Sequence, residues 1–270
     1  MKNNPLLGLV ILGCLLGSCK EDRSTNASLL DSDFEKLNDS KKWKCVFQDN
    51  GTEDWTTNWT LDGLVAQVEN TEKGIHFSAG PEARNDAHHA VLWTKESFVG
   101  NLKIEYDYTR TDSENQWVNI LYIQATGNTK NGFPLDISKW SAFREVPAMK
   151  TYFENMNALH ISYAAFNNTG DGSYYVRARQ YPKPEDKPFD VTKIYPSYDQ
   201  KGFFKSGQTY HITVLKTKKQ LFFKMEGDDE EELFTWDLSE ATPVTEGRIG
   251  LRHMYTRSAI YKNIKIYSKK

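Results

Sequence analysis

The sequence predicts an all-β fold, a two-sheet sandwich of jelly-roll type. Three observations carry that expectation. Short runs rich in β-branched and aromatic residues recur along most of the chain, turn residues separate them, and apolar residues alternate with period two. No linker or internal repeat interrupts the series, so residues 41–270 read as one jelly-roll domain with room for a sizeable core.

The N-terminus stands outside that domain. Lys2 precedes the apolar run Leu6 to Leu16, which is too short to span a bilayer, and Leu16-Gly17-Ser18-Cys19 sets small residues before a cysteine. Residues 1–18 therefore read as a lipoprotein signal peptide. The pattern resembles a bacterial lipobox, which implies a lipid anchor at Cys19 and a place on the outer membrane, at the cell surface or its periplasmic face. Residues 19–40 are polar, charged and poor in aromatics, and read as a flexible tether.

The strands follow in order. Gly63 to Val68, Gly74 to Phe77, Ala90 to Trp93, Leu102 to Tyr108, Val118 to Ile123, His160 to Phe166, Tyr174 to Ala178, Tyr210 to Leu215, Gln220 to Met225 and Leu233 to Asp237 all fit the pattern. Gly247 to Arg257 and Tyr261 to Tyr267 close the series, about a dozen strands in all. Ser138 to Ala158 breaks it. Its Trp140, Phe143, Met149, Phe153 and Met156 suit a short helix or an ordered lid, and Pro147 interrupts anything longer.

Charge and cysteine content remove several function classes. Net charge is −2 and the basic residues form no block, which argues against nucleic acid as a partner. Once Cys14 is cleaved away and Cys19 is lipidated, Cys45 is alone. It cannot form an internal disulfide, and Trp43-Lys44-Cys45-Val46-Phe47 places it in a strand as a buried residue. The acidic run Glu226 to Glu232 reads as a solvated hairpin tip. No phosphate loop, nucleophile elbow or HExxH is present, so no cofactor is expected; a structural calcium ion is the one metal left open. The expected state is a monomer.

Candidate site residues come from side-chain parity. Ile249, Leu251, His253 and Tyr255 share one face of the closing strand, so an apolar face ends in a histidine and a tyrosine. Arg252 has the opposite parity and joins them only through a twist or bulge. In Asp86-Ala87-His88-His89-Ala90 the two histidines diverge, so one of them faces a cleft and a metal site is disfavoured. Asn119 and Gln124 offer amides, and Arg177 and Arg179 form a same-face fork for a carboxylate or sulfate, with Tyr174, Tyr175 and Tyr181 beside them. His160 is a further histidine in that region. His76 and His211 read as structural, while Glu105 and Asp107 share a face at the spacing of a carboxylate pair.

Several of these stretches resemble a known family. Asp54-Trp55, Trp59, Leu61-Asp62-Gly63, Ala79-Gly80-Pro81, His88 to Trp93, Tyr106-Asp107-Tyr108, Arg177 to Pro182 and Gly247 to Tyr255 carry the similarity, which spans Trp43 to Tyr267. They resemble a bacterial domain-of-unknown-function family with a concanavalin-A-like lectin/glucanase jelly roll, found beside genes that degrade ulvan and rhamnogalacturonan. The resemblance implies β-elimination on a uronate of an anionic oligosaccharide, by a carbon–oxygen lyase that removes water or a sugar at C4. Such chemistry needs a base, an acid and cations that offset the carboxylate. His89 or His253 is the expected base and Tyr255 the acid. Arg177, Arg179 and Arg252 are the clamps, and His88, Asn119 and Gln124 the further substrate contacts. All are expected in one groove beneath the Ser138 to Ala158 lid. A non-catalytic carbohydrate-binding lipoprotein and a glycoside hydrolase using Glu105 and Asp107 are the alternatives.

Overall fold

The computed structural model describes residues 21–200 and 202–269; the signal segment 1–18 and the lipidation site Cys19 lie outside them. In chain order the elements are α1 (Glu21–Asn38), β1 (Lys44–Asp49), β2 (Trp59–Asp62), β3 (Gln67–Thr71), β4 (Gly74–Ser78), β5 (Ala90–Thr94), β6 (Phe98–Val99), β7 (Asn101–Arg110) and β8 (Asn119–Gly127). Then come α2 (Met149–Asn155), β9 (Met156–Phe166), β10 (Tyr174–Tyr181), β11 (Lys193–Gln200), β12 (Thr209–Lys216), β13 (Gln220–Glu226), β14 (Glu231–Asp237), β15 (Glu246–His253) and β16 (Ser258–Lys269). They form two eight-stranded antiparallel sheets. The back sheet runs β14-β13-β12-β7-β16-β4-β3 with β1 on β16, and the front sheet runs β11-β10-β9-β8-β15-β5-β2 with β6 on β15.

Alternation explains the sandwich. Ile104, Tyr106 and Tyr108 of β7 meet Leu121 and Ile123 of β8, Ile161 and Tyr163 of β9 and Ile249 and Leu251 of β15 in one continuous core. Each such side chain contributes about 1.5–3 kcal/mol on burial. The front sheet is covered on its other face as well. Val91, Trp93, Val118, Ile120, Tyr122 and Tyr181 pack there beneath Ile137, Trp140 and Tyr152 of the segment between β8 and β9. A sheet buried on both faces leaves little polar alternation to read.

Three expectations need correction. Residues 63–68 are not one strand: Gly63 has φ +113°, and a Cβ there would meet the His89 carbonyl oxygen at 2.6 Å, so the chain turns between β2 and β3. Cys45 lies in β1 as expected but is exposed rather than buried. The segment read as a flexible tether holds α1, and Phe34 is buried against Leu215 and Phe222 on the outer face of the back sheet. Leu30, Phe34 and Leu37 recur at helical spacing, enough of a stripe to dock an otherwise polar helix.

The outer face of the back sheet also holds Glu105 and Asp107. Glu105 pairs with Lys103 at 2.7 Å, and Asp107 pairs with His211 Nδ1 at 2.8 Å while accepting a bond from Asn263. The hydrogen bond to Asp107 raises the His211 pKa above its ordinary 6.5, and the same bond lowers Asp107 below 3.8. The pair therefore adds stability that is full between those two ordinary values. It fades below them as Asp107 protonates, and above them as His211 loses its proton. Both groups are partly exposed, so the effect is small. Melting of His211→Gln against wild type should show a wild-type advantage near pH about 5.5 that is gone by about 8.5. An advantage that does not vary with pH would refute the assignment.

Candidate functional site

The site grows from β15. Its residues Gly250 to His253 pair with β5 on one side and β8 on the other, so Arg252 sits opposite Val91 and Ile120 at the centre of the front sheet. Arg252 points away from the sandwich core, onto the outer face. The Trp93 ring lies over Gly250, where a Cβ would come within 2.3 Å of it. Trp93 Nε1 donates to Asp62 Oδ2 at 2.8 Å, and the Tyr152 hydroxyl donates to the same oxygen at 3.0 Å. Burial pushes the Asp62 pKa up to about 6, against the pull of these bonds and of Arg144 and Arg252.

Arg252 is fully buried, and its guanidinium is mostly unmatched. Nη2 donates to the Pro147 carbonyl at 2.7 Å, and the Tyr152 ring lies 4.7 Å from the guanidinium carbon. Nε and Nη1 have no hydrogen-bond partner. The Tyr122 hydroxyl donates to Met149 Sδ at 3.8 Å, and its oxygen is left as an acceptor facing Arg252. No carboxylate of the described residues forms an ion pair with Arg252. A buried guanidinium with two unbonded nitrogens, offset only by the longer-range charge of Asp62, costs folding free energy.

Arg257, five residues on, is the contrast. It is equally buried, yet Nε donates to Asp112 at 3.0 Å and Nη1 to the carbonyls of Trp117 at 3.0 Å and Ala164 at 2.7 Å. It closes the turn after β15, which carries Tyr255. There the Tyr255 ring stacks on His89 at 4.3 Å and stands edge-on to Trp117 at 4.8 Å. His89 is buried, with Nε2 3.3 Å from Asp86 and Nδ1 unpartnered. Burial, helped by the charge of Arg252, pushes its pKa down to about 2, and burial raises that of Tyr255. Both rings are neutral across the physiological range.

The hairpin of β9 and β10 completes the face. Register places Arg179 opposite His160 and Arg177 opposite Ser162. His160 Nε2 lies 2.6 Å from Ser162 Oγ and its Nδ1 2.8 Å from the Tyr181 hydroxyl. Burial, followed by the charges of Arg179, Arg252 and Arg177, holds it well below the ordinary histidine value. Three arginines thus surround a neutral imidazole. The Arg177/Arg179 fork is nonetheless engaged. Arg177 donates to Ser197 at 2.7 Å and lies over Tyr175, while Arg179 lies over Phe189 and donates to Thr192 at 3.0 Å.

Measured against the sequence, His89, Tyr255 and Arg252 do assemble, and Arg177 and Arg179 share the outer face with Arg252. Other expected site residues lie elsewhere. His253 lies between the sheets, stacked on Phe77 at 4.4 Å with Nε2 2.7 Å from the Tyr261 hydroxyl; burial pushes its pKa to about 3. It follows the parity of Ile249 and Leu251, but that face is the sealed core, so the expected base is out of reach. Asn119 also faces inward and donates to the Tyr108 hydroxyl. Gln124 has φ 52°, and this left-handed bulge rotates it away from the face of Tyr122. Its amide donates to the carbonyls of Phe98, Gly100 and Thr245 and accepts from Lys216 of the back sheet at 2.6 Å. His88 sits in a short 3-10 turn, where Nδ1 accepts from the Glu82 amide at 2.9 Å. His160, noted in the sequence as a further histidine, belongs to the site, as do Asp62 and Tyr152, which the sequence does not single out as site residues. A lone aspartate closing a strand, Leu61-Asp62-Gly63, was the available signal.

The family of domains of unknown function DUF1961 matches residues 45–266. The chain belongs to that family. No curated protein matches it. Among solved structures, a Bacillus subtilis protein of unknown function with a galectin-like fold has a TM-score of 0.63 at 18% identity, covering 84% of this chain and 100% of that one. A legume lectin-like domain from Entamoeba histolytica follows at 0.53 and 9% identity, with 83% and 97% covered. Lectin II from Ulex europaeus gives 0.52 at 10% identity, with 83% and 98% covered. At such identities the likeness is one of fold. The all-β, lectin-like jelly roll is the architecture of this chain.

Proposed function

We propose that the protein binds an acidic oligosaccharide on the outer face of its front sheet, with Arg252 receiving a sugar carboxylate. The buried, half-unpaired guanidinium carries this reading. A carboxylate supplies the acceptors that Nε and Nη1 lack, and such charge-assisted bonds are about twice as strong as neutral ones. The lectins that share the fold support carbohydrate as the ligand class. Titration with ulvan, rhamnogalacturonan and neutral galactan oligosaccharides tests it. Acidic chains should bind, more weakly as salt rises, and neutral chains should not. Equal affinity for both, or none for either, would discard the reading.

β-Elimination is the second reading, favoured by the neutral His89–Tyr255 stack beside Arg252. In it Arg252 offsets the carboxylate while a base removes the C5 proton, the C4–O bond breaks as the C4=C5 double bond forms, and Tyr255, kept protonated by burial, gives its proton to the departing oxygen. A histidine pushed to about 2 is a poor proton acceptor, which is why binding is placed first. Acidic oligosaccharide that gains absorbance near the ultraviolet edge during incubation would reverse that order. The two-carboxylate hydrolase loses its footing: Glu105 and Asp107 lie on the back sheet, each tied to a cation.

A further inference from the structure

Arg252 is the group that a ligand must reach, and in this structure nothing can reach it. Residues 144–155 lie across it as a strap. The strap is packed on the sheet through Met149, Tyr152 and Phe153, and a few polar contacts pin it over Arg252. Leu64 N donates to the Arg144 carbonyl at 2.7 Å, Arg252 donates to the Pro147 carbonyl, and Tyr152 reaches Asp62. Arg144 Nε lies 3.6 Å from Asp62 Oδ1. The Tyr152 ring is layered over Trp93 and Tyr122, 6.3 and 6.4 Å away and nearly parallel to both. The base of the strap is held differently. Arg248 pairs with Asp136 at 2.7 Å, and Trp140 is buried between Phe133 and Phe143. Packing thus fixes the base and much of α2, and within the strap Arg144 and Tyr152 converge on one carboxyl.

We propose that residues 144–155 are a gate over Arg252, latched shut by Asp62, and that an acidic ligand enters by displacing the Pro147 carbonyl from the guanidinium. The idea rests on the binding reading above and adds its regulation. Two features favour a moving strap over a permanent cover. The contact that Pro147 makes with Arg252 is one a carboxylate outcompetes, since it offers charge and two oxygens where the carbonyl offers one neutral atom. The latch also keeps a carboxyl from water at a cost, because burial has pushed Asp62 up to about 6. Near neutral pH, opening restores its hydration. A minor open state is then selected by ligand rather than created by it.

Arginine-specific labelling with phenylglyoxal, read by mass spectrometry at Arg252 in the full chain, tests this without needing a ligand. Exposed Arg84 serves as the internal reference. Arg252 should react at least about tenfold more slowly than Arg84 in the wild type. It should speed up several-fold in Tyr152→Phe, which loses only the bond to Asp62, and in Arg144→Ala, a surface change that spares the core. Trigalacturonic acid should protect Arg252, and galactotriose should not. Equal Arg252 rates in the wild type and both variants, or Arg252 as reactive as Arg84, would overturn the gate. Acceleration in the variants without protection by trigalacturonic acid would leave the gate standing and bring down the acidic-oligosaccharide reading instead.

Discussion

Arg252→Met is expected to lower affinity for acidic oligosaccharide by about a hundredfold or more while leaving the melting temperature unchanged or raised. The two effects come from one cause. A buried guanidinium with two nitrogens lacking acceptors spends folding free energy, and methionine fills similar space without that cost. In the proposed binding mode the same nitrogens receive the carboxylate, so their removal takes the ligand's partner away. Calorimetric titration beside a thermal melt reads both. A melting temperature several degrees below wild type would show Arg252 to be a structural group, and unchanged affinity would show that the ligand binds elsewhere.

Arg257→Met should do the opposite. Here the guanidinium is matched by Asp112 and by two carbonyls, and its loss takes a charged donor from each of them. Breaking a buried pair from one side costs about 3–5 kcal/mol, which for a domain of this size lowers the melting temperature by roughly 10 °C. Arg110 keeps Asp112 partly compensated, which places the cost at the lower end of that range. A melting temperature within about 2 °C of wild type would refute the account. The two variants together separate an arginine that holds the fold from one that the fold holds in reserve, only five positions apart in the chain.

The architecture was legible because strand periodicity survives burial, and the long strands β7, β9, β12 and β13 were each recognised from it. The site was legible only in part. Parity sorted Arg252 from His253 correctly, but it could not say which face of β15 was open to ligand. The polar run at the end of the strand suggested the face of His253. In fact the back sheet covers that face, and the strap covers the face of Arg252. Asn119 and Gln124 were misread for a related reason. Amides inside a sandwich look the same in sequence as amides in a groove, and a left-handed residue such as Gln124 suspends the alternation that would separate them. Tyr255 reached the site outside parity altogether, because the strand ends at His253 and a turn carries the ring to His89. The contacts that gather Asp62, Tyr152 and Arg252 join residues 90 and 100 positions apart, beyond any local pattern.

Helix α1 gives the molecule a direction. It lies along the back sheet, where Phe34 is wedged between Leu215 and Phe222, and Lys224 reaches Glu35 at 3.7 Å beside it. The arginine-lined face is on the opposite side of the sandwich. A partner that grips α1 near Phe34 therefore holds this protein at its rear. The arginine-lined face then looks the other way, clear of whatever holds the helix.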